Sequence, residues 1–303
     1  MTRPVYQVVD PTFRSMLIGP AHLEQVATGC RWAEGPSYFP AGRYVVWSDF
    51  PNDRLMRLDE TDGSVSVFRQ PAHAANGTTR DRDGRLLVCE HRTRAVTRTE
   101  HDGARTVIAD RYEGRRLNSP NDVVVAADGA VWFTDPTYGI EGHYNGTIAE
   151  PEQSARRLYR VDPASGAVEA MADDFVQPNG LAFSPDGSKL YVVDSGFTEG
   201  PDKPRHIRAF DVAGGRRLGG GAVIAQCDTG CYDGLRLDTA GNLWVSAGDG
   251  VHVLTAEGKP LGRILVPEEV SNLCFGGEHR NRLYLTATTS IYALYVMAYG
   301  NDH

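Results

Sequence analysis

The sequence lacks the long apolar run that a membrane span requires. A transmembrane helix needs about 20 consecutive apolar residues, and no stretch of the 303-residue chain approaches that length. The N-terminal 20 residues contain Arg3 and Arg14, but they contain neither an apolar core of signal-peptide length nor a small-residue cleavage pattern. We therefore expect a cytoplasmic protein without a membrane partner.

The chain also has fewer positive than negative side chains, with 31 Lys and Arg against 39 Asp and Glu, so the formal net charge is −8. This balance argues against a nucleic-acid backbone as the main partner. The five cysteines are scattered and odd in number, so we expect small buried thiols and no disulfide framework. No Gly-x-Ser-x-Gly elbow is present, so the usual marker of a serine hydrolase is missing.

No stretch has apolar residues at helical spacing over the length of a helix. The chain instead contains a short repeat. Six times, a turn containing Gly or Asn precedes an alternating apolar strand, with a spacing of about 40 to 58 residues that is typical of propeller blades. The copies are residues 42–49, 84–90, 129–135, 187–194, 241–246 and 281–286. Second strands follow them, for example at residues 157–161 and 290–295. The repeat predicts an all-β, six-bladed β-propeller with four-stranded antiparallel blades.

The last predicted blade is one strand short, since the chain stops soon after Tyr299. We expect a strand within residues 23–27 to supply the missing outer strand, because closing the ring removes exposed sheet edges. This assigns residues 1–22 to an N-terminal extension and residues 23–303 to a single propeller domain.

A polar residue begins the strand that precedes each repeat copy. In a propeller this strand lines the central channel, so equivalent positions of six blades lie on one ring around the axis. The six predicted ring residues are Glu34, Asn76, Asn121, Asn179, Asp233 and Ser271. For any one of them a plain turn residue is the alternative reading, but the shared phase of all six favours a common centre.

Each residue of this ring presents at least one side-chain oxygen atom to the axis. Burying Glu34 beside Asp233 places two like charges in a low-dielectric pocket, which a divalent cation neutralises. Ca²⁺ takes six to eight oxygen ligands and is the ion we favour, with Mg²⁺ as a substitute that demands tighter geometry. Zn²⁺ prefers His or Cys, which no ring position carries, and it stays a less favoured alternative.

Several motifs resemble the regucalcin and gluconolactonase family of six-bladed propellers, and most of all its bacterial gluconolactonase branch. They are Glu34-Gly-Pro, Asn121-Asp-Val, residues 179–184, residues 233–238, Val88-Cys-Glu-His91 and residues 132–139. The resemblance implies that Glu34, Asn179 and Asp233 bind the metal and that Asn121 lies on or beside it. It also makes Asp233 the leading candidate for catalytic base. Regucalcin-like members carry an arginine two residues before the Asn121 position, where this chain has Ser119.

The implied reaction is hydrolysis of a small sugar lactone such as glucono-1,5-lactone, by attack of water on a carbonyl polarised by the cation. Asp233 takes the proton of the attacking water, or the cation itself activates the water; the sequence leaves both open. Two other functions compete with this one. One is phosphotriester hydrolysis at the same site, and the other is a non-enzymatic interaction propeller with a structural ion, in which Asp233→Asn leaves function intact.

Substrate contacts are expected from Asn76, Asn121, Ser271 and His91. A solvated loop histidine is the alternative for His91. The insertion at residues 139–156 is either a mobile flap over the channel mouth or a plain surface loop. Four aromatic side chains are candidate walls of the pocket, with a place in the core between blades as the alternative for the first of them: Trp132, Tyr138, Phe197 and His252.

Overall fold

The computed structural model describes residues 5–301 and is built almost entirely of β-strands. Within this range the only α-helix is the single turn Tyr138–Glu141, and three 3₁₀ turns cover Pro11–Met16, Phe50–Asn52 and Gly196–Glu199. Six antiparallel sheets follow one another along the chain and form a six-bladed β-propeller. The fold class predicted from the repeat is confirmed.

Each blade contains four strands in the order inner to outer. Blade 1 consists of Ala33–Phe39, Tyr44–Asp49, Arg54–Asp59 and Val65–Arg69. Blade 2 consists of Ala75–Arg80, Leu86–Glu90, Ala95–Thr99 and Arg105–Ala109. Blade 3 consists of Val123–Val125, Val131–Asp135, Arg157–Val161 and Val168–Ala172. Blade 4 consists of Pro178–Phe183, Lys189–Asp194, His206–Ala213 and Arg217–Gln226. Blade 5 consists of Leu235–Leu237, Leu243–Ala247, Gly250–Leu254 and Pro260–Leu265. Blade 6 has Val270–Gly276, Arg282–Ala287, Ser290–Tyr295 and the N-terminal Glu24–Thr28.

The N-terminal part of the chain closes the ring. Glu24–Thr28 pairs antiparallel with Ser290–Tyr295 as the outer strand of blade 6, as the sequence predicted. Ahead of it, Tyr6–Val8 adds a fifth strand to the outer edge of blade 5. Phe13 is fully buried in the core that blade 5 shares with blade 6. Two segments of the N-terminal 28 residues are therefore held by two different blades.

Apolar clusters between neighbouring blades form the core. Trp132 belongs to one of them and meets Phe183 edge to face, with ring centroids 5.6 Å apart, so it packs between blades 3 and 4 and is no wall of the channel. All five cysteines are free thiols, and four of them are buried. Among residues 5–301, no helix combines the length and apolar character needed to cross a bilayer.

The inner strands approach one another at the residue after the predicted ring position. The Gly77 N–H donates to the Asn121 carbonyl at 2.8 Å, and the Gly180 N–H donates to the Asp233 carbonyl at 3.0 Å. A Cβ atom at Gly180 would lie 2.3 Å from that same Asp233 oxygen. Glycine therefore allows the contact between blades that gathers the ring residues at the axis.

We expect Gly180→Ala to lower the free energy of unfolding by about 1–3 kcal/mol, because backbone must shift to admit the methyl group. Gly219→Ala is the matched control, since a Cβ there meets nothing within 4 Å. Alanine at this control position should leave stability unchanged or raise it slightly. Urea denaturation of both variants measures the difference, and equal midpoints would contradict the close inner packing.

Candidate functional site

A cavity of about 380 Å³ opens at the end of the channel where the inner strands begin. Five blades each contribute one predicted ring residue to its lining. These five are Glu34, Asn76, Asn121, Asn179 and Asp233. Side chains separated by up to 199 residues in sequence, the difference between positions 34 and 233, therefore meet in one place.

The sixth predicted residue, Ser271, does not line this cavity. Its hydroxyl is buried and donates to the Ala33 carbonyl at 2.6 Å, with the Thr286 hydroxyl 3.0 Å away. The next residue, Asn272, turns toward the site instead, and its Nδ2 lies 3.4 Å from Glu34 Oε2. Blade 6 thus contributes Asn272 as a neighbour of Glu34. Asn272 was not among the predicted site residues, although Asn replaces the usual Gly at that position.

Two carboxyl groups dominate the electrostatics of the cavity. Glu34 is only 3% exposed, and its Oε2 accepts the Gly35 N–H at 2.6 Å. Burial, with a contribution from the charge of Asp122, raises the pKa of Glu34 to about 8. Burial first, and then the charge of Glu34, raises the pKa of Asp233 well above its ordinary value. Each carboxyl therefore disfavours ionisation of the other.

A third carboxyl, which was not among the predicted site residues, lies close enough for its charge to act on both of these. Asp122 occupies the position where four other blades have Gly, directly after Asn121. Its Oδ1 accepts the Val123 N–H at 2.9 Å, and its Oδ2 lies 3.6 Å from Arg236 Nη1. Burial raises the pKa of Asp122 as well, although the Arg236 charge opposes the shift. The Asn-Asp pair, in place of Asn-Gly, is the sequence signal that marks it.

The amide of Asn179 is oriented by its neighbours. Its Nδ2 donates to Ser195 Oγ at 3.1 Å, and that hydroxyl donates in turn to the Tyr232 carbonyl at 2.7 Å. The amide oxygen of Asn179 is therefore left as an acceptor for the cavity. The side chains of Asn76 and Asn121 make no hydrogen bond to any other part of the chain between residues 5 and 301.

His91 is 1% exposed and lines the cavity, so the alternative of a solvated loop histidine is wrong. Its Nδ1 lies 2.9 Å from the Asn145 carbonyl, to which it must donate a proton. Burial lowers the pKa of His91 to about 4. In the neutral ring Nε2 is then a bare acceptor, and it has no partner within the described chain.

The insertion after blade 3's second strand contributes to the cavity wall through Tyr144 and Asn145. Ser119 anchors its beginning, because its hydroxyl donates to the Pro136 carbonyl at 2.7 Å and accepts the Gly139 N–H at 2.9 Å. The Ser119 side chain is therefore engaged in structural contacts with the insertion. The nearby pair Arg115–Arg116 is one strand of a two-stranded ribbon with Arg111–Tyr112, and it does not line the cavity.

The remaining wall is aromatic and polar. Of the four aromatic residues singled out in the sequence, only Tyr138 lines the cavity. The other lining residues were not predicted, since they follow strands or lie in loops outside the repeat: Trp32, Phe50, Glu141, Ser195, Thr198 and Cys231. Among the described residues that line the cavity there is no Lys or Arg.

The donor set fits a hard divalent cation. Glu34 and Asp233 offer two carboxylates, and the oriented Asn179 amide offers a neutral oxygen. The raised pKa values of both carboxyls express the cost of two buried like charges. A cation of charge +2 offsets that cost, and oxygen donors of this kind suit Ca²⁺ or Mg²⁺.

The chain is similar to known proteins in sequence and in fold. Residues 32–289 match the family described as SMP-30/Gluconolactonase/LRE-like region. A gluconolactonase of Zymomonas mobilis is 30% identical over 310 residues, covering 96% of this chain and 86% of that protein. The structure of a Xanthomonas campestris gluconolactonase superposes with a TM-score of 0.90 at 36% identity, covering 97% of this chain and 95% of the other. A calcium-binding regucalcin of Agrobacterium tumefaciens shares the fold, with a TM-score of 0.74 at 22% identity over 90% and 92% of the two chains.

Proposed function

The chain belongs to the SMP-30/Gluconolactonase/LRE-like family, and from this premise we propose that it hydrolyses sugar lactones such as glucono-1,5-lactone. The observation that supports the proposal most strongly is the convergence of five ring residues from five blades on one cavity of about 380 Å³. A cavity of this size suits a small molecule. Its amide, hydroxyl and aromatic lining suits a neutral sugar ring.

We propose that Glu34, Asn179 and Asp233 hold one divalent cation, with Asn121 beside it, and that the ion is Ca²⁺. This rests on the oxygen donors, on the two buried carboxyls and on the orientation of the Asn179 amide. When bound, such a cation supplies Lewis acidity toward the carbonyl oxygen of the lactone.

The remaining roles fall to side chains of the cavity. Asp233 accepts the proton of the water that attacks the lactone carbonyl. The amides of Asn76 and Asn121 are available to contact the substrate's oxygen atoms, since neither is committed to a protein partner within residues 5–301. His91 Nε2 accepts a hydrogen bond from a sugar hydroxyl, because Nδ1 is held as a donor by Asn145. Ser271 has no part in the proposal, because its hydroxyl is bound to backbone.

We expect His91→Asn to lower kcat/KM for the lactone about tenfold, the effect of one lost hydrogen bond to substrate. The asparagine amide retains a donor for the Asn145 carbonyl but has nothing in place of Nε2. His101→Asn, at an exposed turn of blade 2, is the matched control and should behave as the unaltered protein. Steady-state kinetics of both variants decides, and an unchanged kcat/KM in His91→Asn would remove this residue from the substrate site.

The proposed function is tested by turnover. Glucono-1,5-lactone hydrolysis, followed by the release of acid in a weakly buffered solution, should proceed well above the spontaneous rate. A phosphotriester offered under the same conditions should be hydrolysed far more slowly. Preferential hydrolysis of the triester, or no turnover of either compound, would overturn the proposal.

A further inference from the structure

A pair of opposite charges reaches across the channel near the proposed cation site. Asp122 directly precedes Val123–Val125, the inner strand of blade 3, and Arg236 lies within Leu235–Leu237, the inner strand of blade 5. Arg236 Nη1 is 3.6 Å from Asp122 Oδ2. Blade 4 separates these two blades in the ring, so the contact spans the channel. Neither residue lines the cavity of the candidate site, and the pair therefore lies further along the channel.

The Asp122 side chain is held on one side and faces only a charge on the other. Its Oδ1 accepts the Val123 N–H at 2.9 Å, and a Cβ atom at Gly77 would lie 2.7 Å from the same oxygen. Oδ2 is buried and accepts no hydrogen bond from the part of the chain that the structure describes. Arg236 Nη1 donates instead to the Leu235 carbonyl at 2.7 Å. Arg236 thus offsets the Asp122 charge without a hydrogen bond to it.

Both charges act on the carboxyls of the proposed cation site. After burial, the charge of Asp122 contributes to the raised pKa values of Glu34 and Asp233, and the charge of Arg236 opposes the shift at Glu34. Glu269 also acts on Asp233, but its side chain is exposed, so water and salt screen it. The channel therefore holds three carboxyls and one guanidinium. When all are ionised, their net charge is −2.

We propose that Arg236 is a specificity-determining residue for the cation, because its charge offsets that of Asp122 and so favours a divalent ion over a trivalent one. The inference rests on the proposed site at Glu34, Asn179 and Asp233. A net charge of −2 is neutralised by a divalent ion. Without Arg236 the net charge of the channel would be −3, and a trivalent ion would neutralise it. Uncompensated charge is costly in a buried site, so the best-bound ion is the one that balances the charge.

Calorimetric titration of the metal-free protein with Ca²⁺ and with La³⁺, in phosphate-free buffer at neutral pH, measures the ratio of the two affinities. Arg236→Met removes the guanidinium charge, and it should raise the affinity for La³⁺ relative to Ca²⁺ about tenfold. Asp122→Asn removes a carboxylate and should shift the ratio about tenfold in the opposite direction. The double variant lacks both charges and should return to the ratio of the unaltered protein.

Arg236→Lys, which keeps the charge, should preserve the ratio, and so should the matched control Arg217→Met on an exposed strand of blade 4. Thermal unfolding of each variant verifies the fold. If Arg236→Met does not fold, Asp122→Asn and the double variant carry the test, because neither leaves Asp122 without its counter-charge.

The inference is overturned if Arg236→Met folds and keeps the ratio of the unaltered protein, or if the double variant keeps the ratio of a single variant. Either result, obtained with an unaltered protein that binds Ca²⁺ and hydrolyses lactones, would leave the proposed function in place. An unaltered protein that binds neither ion would overturn both the cation site and this inference.

Discussion

Replacing Asp233 by Asn should lower kcat for lactone hydrolysis by about 10³-fold, within the range found for loss of a positioned base. The asparagine keeps the size of the side chain but removes a proton acceptor and a negative charge from the cavity. The same substitution should stabilise the metal-free protein, because the charge of Glu34 contributes to the raised pKa of Asp233. A catalytic loss combined with a higher unfolding temperature separates this role from a structural one.

Asp202→Asn is the matched control, since it makes the same chemical change in an exposed loop. It should alter neither kcat nor the unfolding temperature. Retention of more than about a tenth of the activity by Asp233→Asn would contradict the assignment of Asp233 as the base. Such a result would favour water activated by the cation. No turnover by either protein would instead favour a non-enzymatic propeller.

Removal of divalent cations with a chelator should lower the rate of lactone hydrolysis by about 100-fold or more, a loss comparable to that of one strong electrostatic contact to the reacting oxygen. Added Ca²⁺ should restore the rate. Ca²⁺ at about a hundred times its dissociation constant should also add about 2.7 kcal/mol to the free energy of unfolding. Glu34→Gln should lose that stabilisation, whereas Glu150→Gln, in an exposed segment, should retain it. Full activity of stripped protein would contradict a metal-dependent reaction.

The stability of the metal-free protein should depend on pH through Glu34. Its pKa is raised from 4.5 in the unfolded chain to about 8 in the folded one. The folded state therefore binds more protons between these values, and the free energy of unfolding should fall as pH rises from about 4.5 to about 8. Glu34→Gln should reduce this slope, and Ca²⁺ should remove it. If the free energy of unfolding of the metal-free protein rises over this pH range, the raised pKa of the buried Glu34 carboxyl is contradicted.

The fold could be predicted because its information is local and repeated. Alternating apolar residues after a Gly-containing turn define each strand, and the strands predicted at residues 157–161 and 290–295 appear as Arg157–Val161 and Ser290–Tyr295. The closing strand near residues 23–27 was predicted from the need to cover an edge, and Glu24–Thr28 fills that place. The family resemblance drawn from the ring motifs is confirmed by the match over residues 32–289.

The site was harder to predict wherever contacts distant in sequence decide it. Ser271 is in phase with the other ring residues, but its short hydroxyl reaches the Ala33 carbonyl on blade 1, a contact across 238 positions. The pairing of blade 6 shifts register between Val270 and Asn272, and the longer amide of Asn272 lies beside Glu34. His91 is buried, and its Nδ1 is bonded to the carbonyl of Asn145 in the insertion. No repeat in the sequence marks these contacts.

The most direct test of the metal site is a crystal structure of the protein soaked in Ca²⁺ or in Mn²⁺ as its anomalous substitute. One peak should lie in the channel, at about 2.3–2.6 Å from the oxygens of Glu34, Asn179 and Asp233 for Ca²⁺. A difference map without density between these three side chains, or with its only peak outside the channel, would contradict the central claim.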